Sequence, residues 1–174
     1  VLGGNSGGIS EWTLQGNVLY VLMPGSGPSL FSAGTPPSLD AVDTTTHTPL
    51  FPAPVQLGFV GPAALLRYGP GTIGNALWIY DINLPLPLMQ LDPATMSITA
   101  TVGTTTGITD MELSPGGTEW LMLCNAGACG VPMLQAFYPP SLALTTITPL
   151  VAPIEILISL PNWTMRRGYT VYNN

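Results

Sequence analysis

Hydrophobic positions in this chain come in short runs, and proline or glycine closes nearly every run within about ten residues. VLYVLM (18–23), ALWIYDI (76–82) and IEILISL (154–160) are typical: β-branched, leucine-rich or aromatic, and too short for a helix. Apolar residues rarely recur at the i, i+3, i+4 spacing of a helical face. The pattern predicts strands near 9–14, 17–23, 39–43, 55–60, 63–68, 76–81, 87–91, 97–102, 108–113, 119–124, 132–137, 142–147, 154–159 and 168–172. Between Leu14 and Leu150 the punctuation leaves no room for a ten-residue amphipathic helix. The predicted class is all-β.

The strands repeat. LWIYDI (77–82) overlays EWLMLC (119–124), and PLMQLDPATMSITAT (87–101) overlays PMLQAFYPPSLALTT (132–146), with GITDMELSPGGT (107–118) between them. Trp78 and Trp120 match at a shift of 42, Asp92 and Tyr138 at 46. VLYVLM, LDAVDTTTHTPL (39–50) and VGPAALLRYGPGTIGNAL (60–77) give the same order more loosely upstream. Four short strands per period of this length indicate propeller blades.

LDPATMSITATV (91–102) and ELSPGGTEWLML (112–123) resemble the YVTN-type β-propeller repeat, with Gly116 where that family usually has Asp. The good match covers about residues 76–148. The resemblance implies blades near 17–75, 76–118 and 119–148, with a tail at 149–174. It implies a fold and leaves activity open, because propellers host many unrelated functions. The local chemistry is independent of the family: SPGG supplies a positive φ in a tight turn, and the Asp92 carboxylate can accept from turn amides. Three blades cannot close a ring of four to eight. Residues 1–174 are therefore expected to be one all-β domain or a fragment of a larger one, completed by further chain or by neighbours. A β-sandwich or jelly roll is the alternative architecture. The chain opens on Val1 without a basic-then-apolar leader, which suggests a removed leader or a piece of something longer.

Composition sharpens the class. Hydrophobic residues make up 46%, but charged residues only 7%, far below the usual quarter or so. There are 19 prolines and 20 glycines, yet the compact apolar runs bury enough surface to favour folding over disorder. There is no lysine; the basic residues are Arg67, Arg166 and Arg167, and the net charge is −6. That balance provides no basic face for nucleic acid. No apolar run approaches the length of a transmembrane helix, and prolines interrupt the longest uncharged stretch. A surface so poor in charge points to an assembly whose neighbours cover it.

Cys124 and Cys129 flank NAGA. Two cysteines and one distant His47 are too few for a zinc site, and C-x4-C between strands lacks the geometry of a redox motif. A disulfide across a hairpin tip is expected, with two unlinked small hydrophobes as the alternative. His47, within DTTTHTPL, reads as a solvated turn residue. Asp40 with Asp43, or Asp110 with Glu112, lack the ligand density of a calcium loop; Asp43 and Asp92 read as turn caps. Trp78 and Trp120 sit in apolar strands and read as core. Trp163, Arg166 and Arg167 concentrate aromatic and cationic groups in the tail and are the expected partner contacts. Asn162-Trp163-Thr164 matches a glycosylation acceptor.

No catalytic, cofactor or metal residue emerges, and the chain is not expected to be an enzyme. The expectation is a structural or assembly subunit of an extracytoplasmic complex: a surface layer, envelope complex, filament or virion. Its partners would be other protein subunits, identical or different. The alternative is a propeller-type module that binds a protein or a glycan through its loops.

Overall fold

A computed structural model describes residues 11–25, 34–58, 63–81, 88–103, 108–114, 116–124 and 133–149. They form thirteen strands and one 3-10 turn, Pro139–Ser141, so the protein is all-β. The strands are β1 (Glu11–Gln15), β2 (Val18–Met23), β3 (Ser38–Asp43), β4 (Thr48–Pro49), β5 (Val55–Gln56), β6 (Ala63–Pro70) and β7 (Asn75–Asp81). They continue with β8 (Leu88–Leu91), β9 (Ile98–Val102), β10 (Ile108–Leu113), β11 (Trp120–Cys124), β12 (Met133–Tyr138) and β13 (Ala143–Pro149). Twelve of the expected strands coincide with these; those at 154–159 and 168–172 lie outside the described residues. β4, only two residues long, was not expected.

Three antiparallel sheets result, ordered β1-β2-β3-β4, β6-β7-β8-β9 and β10-β11-β12-β13, with β5 added on β3. Each is an up-and-down meander of consecutive strands. Sheet boundaries fall one strand ahead of the sequence repeat: β6 joins the tryptophan strand β7 instead of closing the repeat before it. Three sheets among the described residues are fewer than the four to eight of a closed propeller.

The chain divides into two compact units, residues 1–69 with 75–103, and residues 70–74 with 104–174. In the first unit, one face of the first sheet packs on one face of the second. Tyr20, Leu22, Leu39 and Ala41 meet Leu66, Leu77, Ile79, Met89 and Leu91, with Tyr68 partly buried beside them. The alternation along each strand selects these residues, because side chains two apart share a face. Tyr20 stacks on Tyr68 with ring centroids 6.0 Å apart and planes 12° apart. Glu11 and Arg67, 56 residues apart in sequence, pair at 2.8 Å with both side chains mostly covered.

The other face of the second sheet is buried as well: Trp78, Tyr80 and Leu88 are wholly inaccessible. In the second unit, Trp120, Met122 and Phe137 form the buried face of the third sheet, and the Trp120 indole N–H donates to the Pro70 carbonyl at 3.1 Å. Each fully buried aliphatic side chain contributes about 1.5–3 kcal/mol relative to exposure. Leu22→Ala is therefore expected to cost about 2–5 kcal/mol in urea unfolding, whereas Ile73→Ala, at a position 91% exposed, should shift stability by less than about 0.5 kcal/mol.

Candidate interaction surface

Three turns repeat at the same place in the three sheets. Each joins the third strand to the fourth and carries a non-glycine residue at positive φ four positions after its first residue. Asp43 opens the first turn and His47 has φ 56°; Asp92 opens the second and Met96 has φ 57°; Tyr138 opens the third and Leu142 has φ 54°. Asp43 Oδ1 accepts from the amides of Thr45 at 2.7 Å and Thr46 at 3.1 Å. Asp92 accepts from the Ala94 amide at 2.9 Å and the Thr95 hydroxyl at 3.0 Å. Both aspartates are caps, as the sequence suggested. In the third turn Pro139 and Pro140 preset the backbone, and the Leu142 amide donates to the Pro139 carbonyl at 3.2 Å.

These turns fix the register of the repeat. The residue before each turn is Val42, Leu91 or Phe137, and the residues paired with them are Leu19, Leu77 and Trp120. Trp120 is therefore the counterpart of Leu77, one position from Trp78. A one-residue slip reverses the face, so the two tryptophans that the sequence overlay equates point to opposite sides of their sheets. Both are still core, at 0% and 2% exposure.

Let the front of a sheet be the side carrying Tyr20, Leu22, Leu39 and Ala41 in the first. Its counterparts are Trp78, Tyr80, Leu88 and Gln90 in the second, and Leu121, Leu123, Leu134 and Ala136 in the third. The back carries Leu77, Ile79, Met89 and Leu91 in the second sheet and Trp120, Met122, Gln135 and Phe137 in the third. In the first unit, then, front packs on back.

The back of the first sheet carries Trp12 and Leu14, across from Val21 and Leu19. Trp12 is 61% exposed and Leu14 42%, although Val21, Met23, Ser38 and Asp40 on the same face are buried. The Gly71 amide donates to the Gly74 carbonyl at 2.7 Å; counting out from that turn sets Tyr68 across from Leu77 and Leu66 across from Ile79. Trp12 and Leu14 thus hold the positions that Leu66 and Tyr68 hold in the second sheet, where the front of the first sheet covers them. On the front of the third sheet Leu121, Leu123 and Leu134 are half-buried and Tyr138 is 44% exposed. In the first unit, Trp12 and Leu14 on the edge strand β1 form the candidate interaction surface. In the sequence Trp12 carries no signal of its own; its alignment with Leu66 is the one that marks it.

The other expected site residues are dispersed. Cys124, at the end of β11, is wholly buried, and there is no free cysteine among the described residues. Cys129, Asn162, Trp163, Arg166 and Arg167 lie outside the described residues. His47 is exposed in its turn. Asp40 and Asp43 point to opposite faces of β3, and the Asp40 carboxylate accepts from the Ala41 amide at 2.8 Å. Asp110 and Glu112 share a face of β10, with the Asp110 carboxylate accepting from the Met111 amide at 2.9 Å. Among the described residues no three His, Cys, Asp or Glu side chains converge as metal ligands. No helix among them is long and apolar enough to cross a membrane.

No family model and no curated protein matches this chain.

Two expectations follow from the turns. The backbone amides of Thr46 and Thr45 hold the Asp43 carboxyl below the usual carboxylate range. Its contribution to stability is present at neutral pH and lost as pH falls through that lowered midpoint. A side-chain carboxyl titration followed by NMR should show the Asp43 midpoint below that of an Asp in an unfolded peptide. His47→Gly should keep or raise stability by up to about 1 kcal/mol in thermal unfolding, since it relieves the left-handed conformation. Met96→Gly, at the same turn position but 2% exposed, should lose roughly 2–5 kcal/mol through its lost packing.

Proposed function

We propose that this chain is a non-enzymatic structural or assembly subunit of an extracytoplasmic complex, such as a surface layer, envelope complex, filament or virion, and acts through protein–protein contacts. The carrying observation is the pair of exposed apolar side chains on the edge strand β1, Trp12 at 61% and Leu14 at 42%. Exposed apolar sheet faces mark association sites. With no lysine in the chain, the usual guard of open sheet edges is also missing.

The extracytoplasmic setting rests on the cysteines. A Cys124–Cys129 bridge belongs to an oxidising compartment, and the lack of a free cysteine among the described residues supports it. The YVTN-type resemblance is part of the same proposal, supported by the repeated meander and its repeated turns. In the tail, Trp163, Arg166 and Arg167 would add aromatic and charge-assisted contacts to acidic groups of a partner. Asp40, Asp43, Asp92 and Asp110 accept from nearby backbone amides, which supports a non-enzymatic role.

The repeated turns favour a second reading, a binding module that recognises a protein or glycan through its loops. Thr44, Thr45, Thr46 and Thr95 present exposed hydroxyls there.

Light scattering coupled to size exclusion separates the two. The assembly role predicts a mass that is a multiple of one chain, and a strictly monomeric protein at its highest soluble concentration would remove it. For protein recovered from an oxidising compartment, thiol titration after unfolding without reductant should find no thiol; two thiols would refute the bridge.

A further inference from the structure

We propose that β1 pairs edge to edge, antiparallel, with β1 of a second copy of this chain, in a register centred on Thr13. The inference rests on the assembly role above and names the partner as the chain itself.

Edge strands invite pairing unless something blunts them, and proline, bulges, charge and shortness are the usual means. Among the described residues the other edge strands carry at least one of these. β4 and β5 are two residues long, and β6 ends on Pro70. β9, β10 and β13 each have a register shift against the neighbouring strand. β1 has neither proline nor bulge. It stays in unbroken register with β2 from Glu11 across from Leu22 to Gln15 across from Val18. Its one charge, Glu11, is paired with Arg67.

The hairpin fixes which backbone groups face out. The two-residue turn Gly16-Asn17 makes Gln15 and Val18 the closing pair, which bond each other through both amides and both carbonyls. Bonded and non-bonded pairs alternate along an antiparallel ladder. Thr13 therefore also turns its backbone groups to β2, whereas Trp12 and Leu14 turn theirs away from it. The two residues with exposed apolar side chains are thus the two that present an amide and a carbonyl at the edge.

The strand is complementary to itself. An antiparallel copy centred on Thr13 sets Trp12 across from the second copy's Leu14, and Leu14 across from its Trp12. Each such pair exchanges two backbone bonds, and its side chains lie on one face. Glu11 falls across from the second copy's Gln15, so no like charges meet. A shift of one position sets Trp12 and Leu14 against polar residues. A shift of two sets Leu14 against Ser10 or Trp12 against Gly16. The contact is isologous and closes on itself as a dimer. A pairing of two five-residue strands buries under about 1,000 Å² in total, the class of weak and transient contacts. The dimer should therefore form at high concentration and separate on dilution.

The test uses the 174-residue chain in size exclusion with light scattering over a dilution series. Leu14→Pro removes an outward amide that β2 does not use, a position at which an edge strand tolerates proline. Trp12→Lys adds the missing edge guard, and Ile73→Lys is a control away from β1. The urea midpoint of each variant verifies that it folds. Wild type and Ile73→Lys should approach twice the mass of one chain at high concentration. Leu14→Pro and Trp12→Lys should each weaken the dimer by about tenfold or more. The register has its own readout. Thr13 is a non-bonded pair with its own copy, with Cα atoms about 4.5 Å apart, close enough for a disulfide. Thr13→Cys should therefore cross-link to a dimer with oxidised glutathione, and Gln15→Cys should not.

A wild type that stays monomeric at its highest soluble concentration would overturn both this inference and the assembly role. An oligomer indifferent to Leu14→Pro and Trp12→Lys would overturn this inference alone. So would cross-linking through Gln15→Cys in preference to Thr13→Cys, since that result means another register.

Discussion

The packing of the first sheet's front on the second sheet's back is the constraint on which the first unit depends. No single four-stranded meander here has a core of its own; each sheet is one layer thick and must bury a face against something else. In the first unit that burial is made by Tyr20, Leu22, Leu39 and Ala41 against Leu66, Leu77, Ile79, Met89 and Leu91. The Tyr20–Tyr68 stack lies within it. Burial, then the neighbouring Tyr68 and Asp92, push the Tyr20 hydroxyl above its ordinary pKa, so the ring stays neutral where ionisation would be costly. The Glu11–Arg67 pair sits where the first strands of the two sheets come together, and ties the edge that the apolar contacts leave.

Polar groups on these faces are satisfied locally. Gln90, 4% exposed, donates from Nε2 to the Thr99 hydroxyl at 2.8 Å, and that hydroxyl donates in turn to the Gln90 carbonyl at 3.3 Å. The exchange occurs beside the register shift between Gln90 and Leu91. A comparable shift lies between Leu134 and Gln135 in the third sheet. A bulge between the third and fourth strands of two sheets adds local twist there.

Much of the architecture was legible in the sequence because its signals are local. Short apolar runs between prolines and glycines gave the strands, and Asp92 with Thr95 gave its turn. What the sequence hid was register. The overlay of Trp78 on Trp120 follows the more conspicuous side chain, while hydrogen bonding follows the turns at Asp92 and Tyr138 and puts Trp120 with Leu77. A single residue of slip costs nothing in a string comparison, but it exchanges the two faces of a sheet. For the same reason the exposure of Trp12 was hard to foresee: it looks like any core tryptophan until its counterpart Leu66 is known. The Glu11–Arg67 pair was also hidden, since no spacing rule links residues 56 apart.

Because every sheet is a meander of consecutive strands, its hydrogen bonds are all closed within one stretch of chain. The turns at Gly16, at Gly74 and at Gly117 begin each meander with a positive φ, and those at His47, Met96 and Leu142 complete it. Among the described residues no strand of one sheet is borrowed from another. A gene can therefore lengthen or shorten such a protein by one whole meander without rethreading the rest, and duplication is a cheap route to a larger molecule. The cost falls on the faces, because each added meander brings two and buries them only where another layer lies against them.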